Sequence, residues 1–154
     1  MKNLFTLGLV LTIMLAGLVS GANAAEPGDG ADAQAIRAVI DAQAAAWNRG
    51  DVDDYMNGYA RGEAIEFVSG DTVTHGWQTL RDRYAQKYDS PEKMGRLTFS
   101  EVEVKTLSAD AALVTGAWRL QRKEDEPHGR FTLIFRRLTE GWRIVHDHTS
   151  SATR

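Results

Sequence analysis

The spacing of apolar residues changes near the middle of this chain, and that change limits the folds available to it. Up to about residue 90 the apolar positions recur every three or four residues, whereas beyond about residue 96 they alternate. The first pattern predicts helices and the second predicts strands. A group of helices followed by strands that are joined by short turns is typical of an α+β domain with a mainly antiparallel sheet.

Three helices are predicted in the first half. The first spans residues 32–49 and ends at Gly50, which suits a helix C-terminus. The second begins after Asp51, whose carboxylate can cap the first turn. The third starts at Trp77 and ends before Pro91, because proline cannot continue a helix. Each of these helices has one apolar face that can be buried against a sheet.

Six strands are predicted around and after the third helix. A hairpin precedes that helix, and four longer strands follow it; the segments are residues 64–68, 72–75, 96–107, 111–122, 129–138 and 142–149. In the third of these, apolar residues move from odd positions, Leu97 and Phe99, to even ones, Val102 and Val104. Such a switch predicts a β-bulge near residues 100–101, which would curl the sheet.

The amino terminus has the pattern of an export signal. Lys2 precedes an apolar run over residues 4–19, and small residues end at Ala22-Asn23-Ala24. We therefore expect a signal peptide over residues 1–24, a flexible leader over residues 25–31 and one domain over residues 32–151. The mature protein is expected to be periplasmic or secreted, with no membrane association after cleavage.

Composition excludes several classes of function. The chain has no cysteine, so disulfides, iron–sulfur clusters and cysteine zinc sites are ruled out. Its formal net charge is −3, and no basic stripe is interleaved with aromatic residues, so nucleic acid is not an expected partner. No phosphate-binding glycine loop is present, and no cofactor is predicted.

Three segments carry a resemblance to a known family. Residues 47–60 (WNRGDVDDYMNGYA), the pair Gly76-Trp77 and residues 141–150 (GWRIVHDHTS) resemble the SnoaL-like branch of the nuclear transport factor 2-like superfamily. The last segment is also similar to the association domain of calcium/calmodulin-dependent protein kinase II. The resemblance implies a cone-shaped, cystatin-like α+β fold in which three N-terminal helices pack on a curved sheet around a pocket. It also implies a homodimer, but it does not imply a single activity.

Comparison with ketosteroid isomerase, which shares that fold, argues against its mechanism here. That chemistry needs a carboxylate base, a tyrosine and a protonated aspartate. Alignment on residues 48–51 implies that the tyrosine position falls at Gln43 and the base position at Phe67. The aspartate position falls near Phe131 or Thr132. None of the three roles is filled.

The last strand supplies the candidate site. Strict alternation from Trp142 onward places Ile144, His146 and His148 on the same face as Trp142, and Asp147 on the opposite, outer face. An apolar face that ends in two histidines is typical of a pocket wall, because histidine exchanges protons near neutral pH.

Three roles remain open for the two histidines. They can act in general acid/base catalysis together with Tyr55, supply two ligands to a metal, or fix the sheet edge by hydrogen bonding. No third metal ligand is evident, so no metal site is predicted. The residues expected to contact a ligand are mainly aromatic: Trp47, Tyr59, Phe67, Trp118, Leu133 and Phe135.

The sequence thus predicts an exported protein that binds a small, largely apolar ligand in a conical pocket. If it is an enzyme, the expected class is a cofactor-independent lyase or isomerase that uses His146 and His148 for dehydration, isomerisation or cyclisation. The alternative is a non-catalytic, homo-oligomeric interaction module whose cone is filled by its own side chains.

Overall fold

A computed structural model describes residues 27–152 of the chain. Four helices pack on one curved, unclosed sheet of six strands, which confirms the predicted α+β class. The predicted signal peptide, residues 1–24, lies outside the described residues. Within 27–152, none of the helices combines the length and the apolar character needed to cross a bilayer.

The helices follow the predicted order, with two differences. Their bounds are α1 Pro27–Asn48, α2 Val52–Met56, α3 Trp77–Lys87 and α4 Pro91–Met94. Helix α1 already begins at Pro27, so residues 27–31 are helical and not the flexible leader that was predicted; proline is well suited to a first helical turn. Helix α4 was not predicted, because one turn is too short to show a period. Ser90 caps it by accepting a hydrogen bond from the Lys93 backbone N–H.

The six strands lie close to their predicted positions. Their bounds are β1 Glu66–Ser69, β2 Thr72–His75, β3 Arg96–Ser108, β4 Ala111–Gln121, β5 His128–Leu138 and β6 Gly141–Thr149. Their order in the sheet is β2-β1-β6-β5-β4-β3, and every pair is antiparallel except β1 with β6. Helix α1 lies against β3 and β6, so the inner face of the sheet wraps around it.

The bulge predicted in β3 is confirmed. Pairing between β3 and β4 shifts register between Ser100 and Glu103. Glu101 has a backbone φ of +51°, in the left-handed region that residues with a Cβ rarely adopt. The shift explains why apolar side chains on both sides of it can face the same interior.

A second bulge, in β6, was not predicted. His146 pairs with Ile134 and Ile144 pairs with Phe135, so Val145 is an extra residue in β6. This extra residue lies where the neighbour along one side of β6 changes. The Ile144 backbone bonds to Gly58 and Ala60, whereas from His146 onward β6 pairs with β1.

This bulge overturns the predicted orientation of the end of β6. Trp142 and Ile144 face inward as expected, but after the extra residue Asp147 is the buried side chain, with 4% of its surface exposed. His146 and His148 consequently lie on the outer face of the sheet. The prediction that they face the interior, and that Asp147 faces outward, is wrong.

Candidate functional site

A cavity of about 110 Å³ lies between the helices and the inner face of the sheet. Most of its wall is aromatic and aliphatic. The aromatic members are Trp47, Tyr55, Tyr59, Phe67, Tyr84, Tyr88, Phe99, Trp118 and Phe131; the aliphatic members are Ile40, Leu97, Leu120, Leu133 and Ile144. Polar side chains occur at its two ends, which is the usual composition of a small-molecule site.

Trp47 is the centre of the aromatic wall. Its ring meets that of Tyr55 edge-on at a centroid distance of 5.1 Å, and that of Tyr88 at 4.6 Å. Its indole N–H donates to the Met94 carbonyl in α4 at 3.1 Å. The short helix that the sequence did not predict therefore fixes the orientation of this ring, because a buried indole N–H needs an acceptor.

Asp147 forms the polar group at the buried end of the cavity. The Tyr59 hydroxyl donates to Oδ2 of Asp147 at 2.7 Å, and the Thr149 hydroxyl donates to Oδ1 at 2.7 Å. Tyr59 is itself 2% exposed. A carboxylate has about four acceptor positions, so two donors leave room for a further hydrogen bond to a ligand.

The buried environment changes the acidity of this group. Burial raises the pKa of Asp147 above its ordinary value, while hydrogen bonds from Tyr59 and Thr149 and positive charge at His146 and His148 act in the opposite direction. Burial, and next the negative charge of Asp147, also raise the pKa of Tyr59 and of Tyr55. Both tyrosines therefore remain protonated over the physiological range.

Gln43 holds Tyr55 and the following segment in place. Its side-chain amide N–H donates to the Tyr55 carbonyl at 3.1 Å. Gly58 leaves space for this amide, since a Cβ at that position would lie 2.4 Å from Cδ of Gln43. Tyr59, next in the chain, is thereby directed at Asp147. Gln43, which the resemblance aligns with the tyrosine of ketosteroid isomerase, thus positions the backbone at Tyr55.

Two cations lie where the cavity opens to solvent. Arg83 and Lys87, both from α3, line the cavity and are partly or largely exposed. Arg83 donates from Nη1 to the Thr74 hydroxyl at 2.6 Å, and its guanidinium carbon lies 5.2 Å from the Phe67 ring centroid. Nζ of Lys87 lies 5.2 Å from the Tyr88 ring centroid.

The structure brings most of the predicted ligand-contacting residues together. Tyr55 and five of the six predicted ligand contacts line the cavity; those five are Trp47, Tyr59, Phe67, Trp118 and Leu133. Phe135, the sixth, is completely buried in the core and does not line the cavity, so that prediction is wrong.

His146 and His148 do not reach the cavity. Nδ1 of His146 lies 3.1 Å from a Glu66 carboxylate oxygen on the outer face, and His75 lies 3.9 Å from the other oxygen. His148 is exposed. In the part of the chain that the structure describes, no cluster of three or more His, Asp or Glu side chains is placed to hold a metal ion.

Sequence reasoning missed Asp147, Arg83 and Lys87 as cavity residues. Asp147 has no signal of its own, because its inward position depends on the bulge. The spacing of Arg83 and Lys87 does carry a signal: they are four residues apart and bracket Tyr84. Residues four apart share one helix face, so a cationic pair beside an aromatic stripe could have been noted.

Comparison with known proteins agrees with this fold. An NTF-2-like protein of unknown function from Shewanella oneidensis is 38% identical and superposes with a TM-score of 0.74, over 77% of this chain and 98% of that one. A ketosteroid isomerase-like protein from Erwinia carotovora is 20% identical, with a TM-score of 0.63, over 79% and 96% of the two chains. A proposed dehydratase of the NTF2-like family from Streptomyces avermitilis is 20% identical, with a TM-score of 0.66, over 81% and 99%.

Family assignment rests on the sequence match. No curated protein is significantly similar to this chain. Residues 36–154, however, match the SnoaL-like domain, and that segment is most of the chain. With the fold and the similarity to the Shewanella protein, this match shows that the chain belongs to the SnoaL-like family of the nuclear transport factor 2-like superfamily.

Proposed function

We propose that this protein binds a small, largely apolar ligand in the cavity, and that Asp147 and Tyr59 engage a polar group at the buried end of that ligand. The observation that carries the proposal is the buried carboxyl itself. Burying a polar group is costly unless it is hydrogen-bonded, and here the carboxyl is retained on the wall of an aromatic cavity. Such a group is typical of a binding or catalytic site.

Cofactor-free proton transfer is the chemistry that this site supports best. A carboxyl whose pKa is raised by burial can take or return a proton closer to neutral pH than an exposed one. Tyr59 stays protonated and steadies the carboxylate by donating to it. Dehydration, isomerisation and cyclisation all need such a proton transfer. The role proposed from the sequence for the two histidines passes to Asp147, because they lie on the other face.

The volume of the cavity favours a ligand over the alternative of a filled interaction module. A module of that kind would be packed by its own side chains, whereas about 110 Å³ is open here. Apolar cavities of comparable size, roughly 150 Å³, are known to hold a molecule such as benzene. Export and homodimer formation, both expected from the sequence and its resemblance, remain part of the proposal.

Native mass spectrometry is the first experiment. The full chain is expressed with residues 1–24 in place, recovered gently from the periplasm, and measured under native and then denaturing conditions. We expect a mature chain that begins at residue 25, and extra mass that is lost on denaturation. Intact mass retaining residues 1–24 would contradict export.

A panel of small aromatic compounds extends this test to weak ligands. Binding is followed by the fluorescence of Trp47 and Trp118, which line the cavity. We expect quenching or a spectral shift that saturates with concentration. A wild-type protein that carries no extra mass and also binds none of the panel would overturn the ligand-binding proposal.

A further inference from the structure

Arg83 and Lys87 form a cationic pair at the opening of the cavity. They are four residues apart in α3, so their side chains lie on the same face of the helix. Both line the cavity, and both retain contact with solvent. Any molecule that enters the cavity from this side passes within reach of two positive charges.

Neither cation is neutralised by a neighbouring carboxylate among residues 27–152. The ion pairs of α3 in that part of the chain are made by Arg81, which contacts Asp53 and Asp82 away from the cavity. Arg83 instead donates to a hydroxyl, that of Thr74. Of the described residues, Asp147 is the one that brings a carboxyl to the cavity wall, and it does so at the buried end.

Both side chains keep donors free for a ligand. A guanidinium has five N–H donors in a planar fork, and the bond to Thr74 uses one of them. An ammonium has three donors. A planar carboxylate matches the fork of an arginine, and charge-assisted hydrogen bonds of this type are stronger than neutral ones.

We propose that the ligand is an amphipathic monocarboxylate: its apolar body occupies the aromatic cavity and its carboxylate is bound by Arg83 and Lys87. This inference deepens the proposed function and depends on it. The formal net charge of the chain is −3, so a preference for anions is not expected from its overall charge. It would come from these two side chains.

Matched probes separate the contribution of the charged head group to affinity from that of the apolar body. The probes are 2-naphthylacetate, 2-naphthylacetamide and 2-naphthylethanol, with the three phenyl analogues, and affinities are measured by tryptophan fluorescence and calorimetry. We expect the carboxylates to bind about tenfold more tightly than the neutral compounds, which is a typical gain for a partly exposed charged contact. The preference should shrink as salt is added, because solvent screens exposed charges.

Variants assign that preference to the two residues. In Arg83→Gln/Lys87→Gln the carboxylate should bind no better than the alcohol, because the charged contact that distinguishes the two probes is removed. Lys87→Gln alone should lose part of the preference for the carboxylate over the alcohol. Because Lys87 is exposed, this single variant keeps the test valid if the double variant folds poorly. Lys93→Gln/Arg119→Gln removes equal charge from two exposed ion pairs outside the cavity and should change nothing.

The outcomes distinguish this inference from the proposed function. Equal binding of carboxylate and alcohol by the wild-type protein overturns the carboxylate assignment and leaves the ligand-binding cavity standing. An equal loss of preference in the control variant also overturns it, because the effect would then be one of overall charge. Failure of every probe to bind, together with no co-purified mass, overturns the ligand-binding proposal and the carboxylate assignment together.

Discussion

The hydroxyl of Tyr59 lies 2.7 Å from Oδ2 of Asp147, and the two residues are 88 positions apart in the chain. Tyr59 follows α2, whereas Asp147 is in β6, the strand at the centre of the sheet. Both side chains are buried. One hydrogen bond thus joins the helical half of the domain to the sheet at the buried end of the cavity.

Removing this bond should destabilise the protein. In Tyr59→Phe the carboxyl of Asp147 keeps only the hydrogen bond from Thr149, so a buried acceptor loses its partner. We expect the free energy of unfolding to fall by about 1–3 kcal/mol, measured by urea denaturation. Tyr88→Phe, at a partly exposed tyrosine of the same cavity, is the control and should change stability much less. Equal effects of the two substitutions would contradict the role given to the Tyr59 bond.

Asp147 should make stability depend on pH in a definite direction. Burial raises the folded-state pKa of this carboxyl, so in the window above its unfolded pKa, about 3.9, the folded state holds more protons than the unfolded state. Stability therefore falls as pH rises through that window and levels off above the folded pKa. Asp147→Asn removes this contribution. The measurement is the difference in unfolding free energy between wild type and variant from pH 3 to 8, and this difference should change over that window. A difference that is independent of pH would contradict a raised pKa of Asp147.

The faces of β6 can be tested by ligand binding. His146→Gln and His148→Gln alter side chains on the outer face, so affinity for 2-naphthylethanol should stay within about twofold. Asp147→Asn alters the cavity itself and should weaken binding of this alcohol about tenfold, since its hydroxyl loses a charge-assisted hydrogen bond to the carboxylate. Calorimetry on the three variants compares them directly. A tenfold loss in either histidine variant, with Asp147→Asn unaffected, would restore the assignment made from strict alternation.

The β3 bulge offers a stabilising substitution. Glu101 has a φ of +51°, which disfavours any side chain with a Cβ, and its ion pair with Arg130 is largely exposed. Glu101→Gly should raise the free energy of unfolding by about 0.5–1 kcal/mol, because relief of the backbone outweighs a weak surface pair. Glu101→Ala loses the same ion pair without relief and should not stabilise. Thermal and urea unfolding of both variants measure the difference.

The two bulges show what alternation can and cannot predict. The β3 bulge was predictable because apolar residues lie on both sides of it, and their parity changes. Past the β6 bulge the sequence reads His-Asp-His-Thr, in which no apolar residue marks the inward face. Burial of Asp147 depends on the hydrogen bond from Tyr59 and on the pairing of β6 with β1. Both contacts join residues that are far apart in the sequence.

Other parts of the fold also separate into features that local sequence predicts and features that depend on distant contacts. Local periodicity predicts the order of the longer helices and strands, and capping chemistry predicts the cap at Asp51; both are present in the structure. The orientation of Trp47 depends instead on the Met94 carbonyl, 47 positions away. Helix α4 provides that carbonyl within a single turn, which is shorter than the window in which a period can be recognised.

The place of β6 in the sheet also determines when the cavity can form. Among the described strands β6 is the last to be synthesised, yet it lies between β1 and β5 and is the only strand that joins the β1–β2 hairpin to the rest of the sheet. The β1–β6 pairing closes a long loop of chain, and such contacts are slow to form, whereas β5 and β6 are joined by a tight turn. A growing chain can therefore make its helices and the β1–β2 hairpin early, but the wall of the cavity that carries Asp147 is complete only when β6 has been made and has paired with β1. Binding competence is thus a property of the completed domain and of none of its parts.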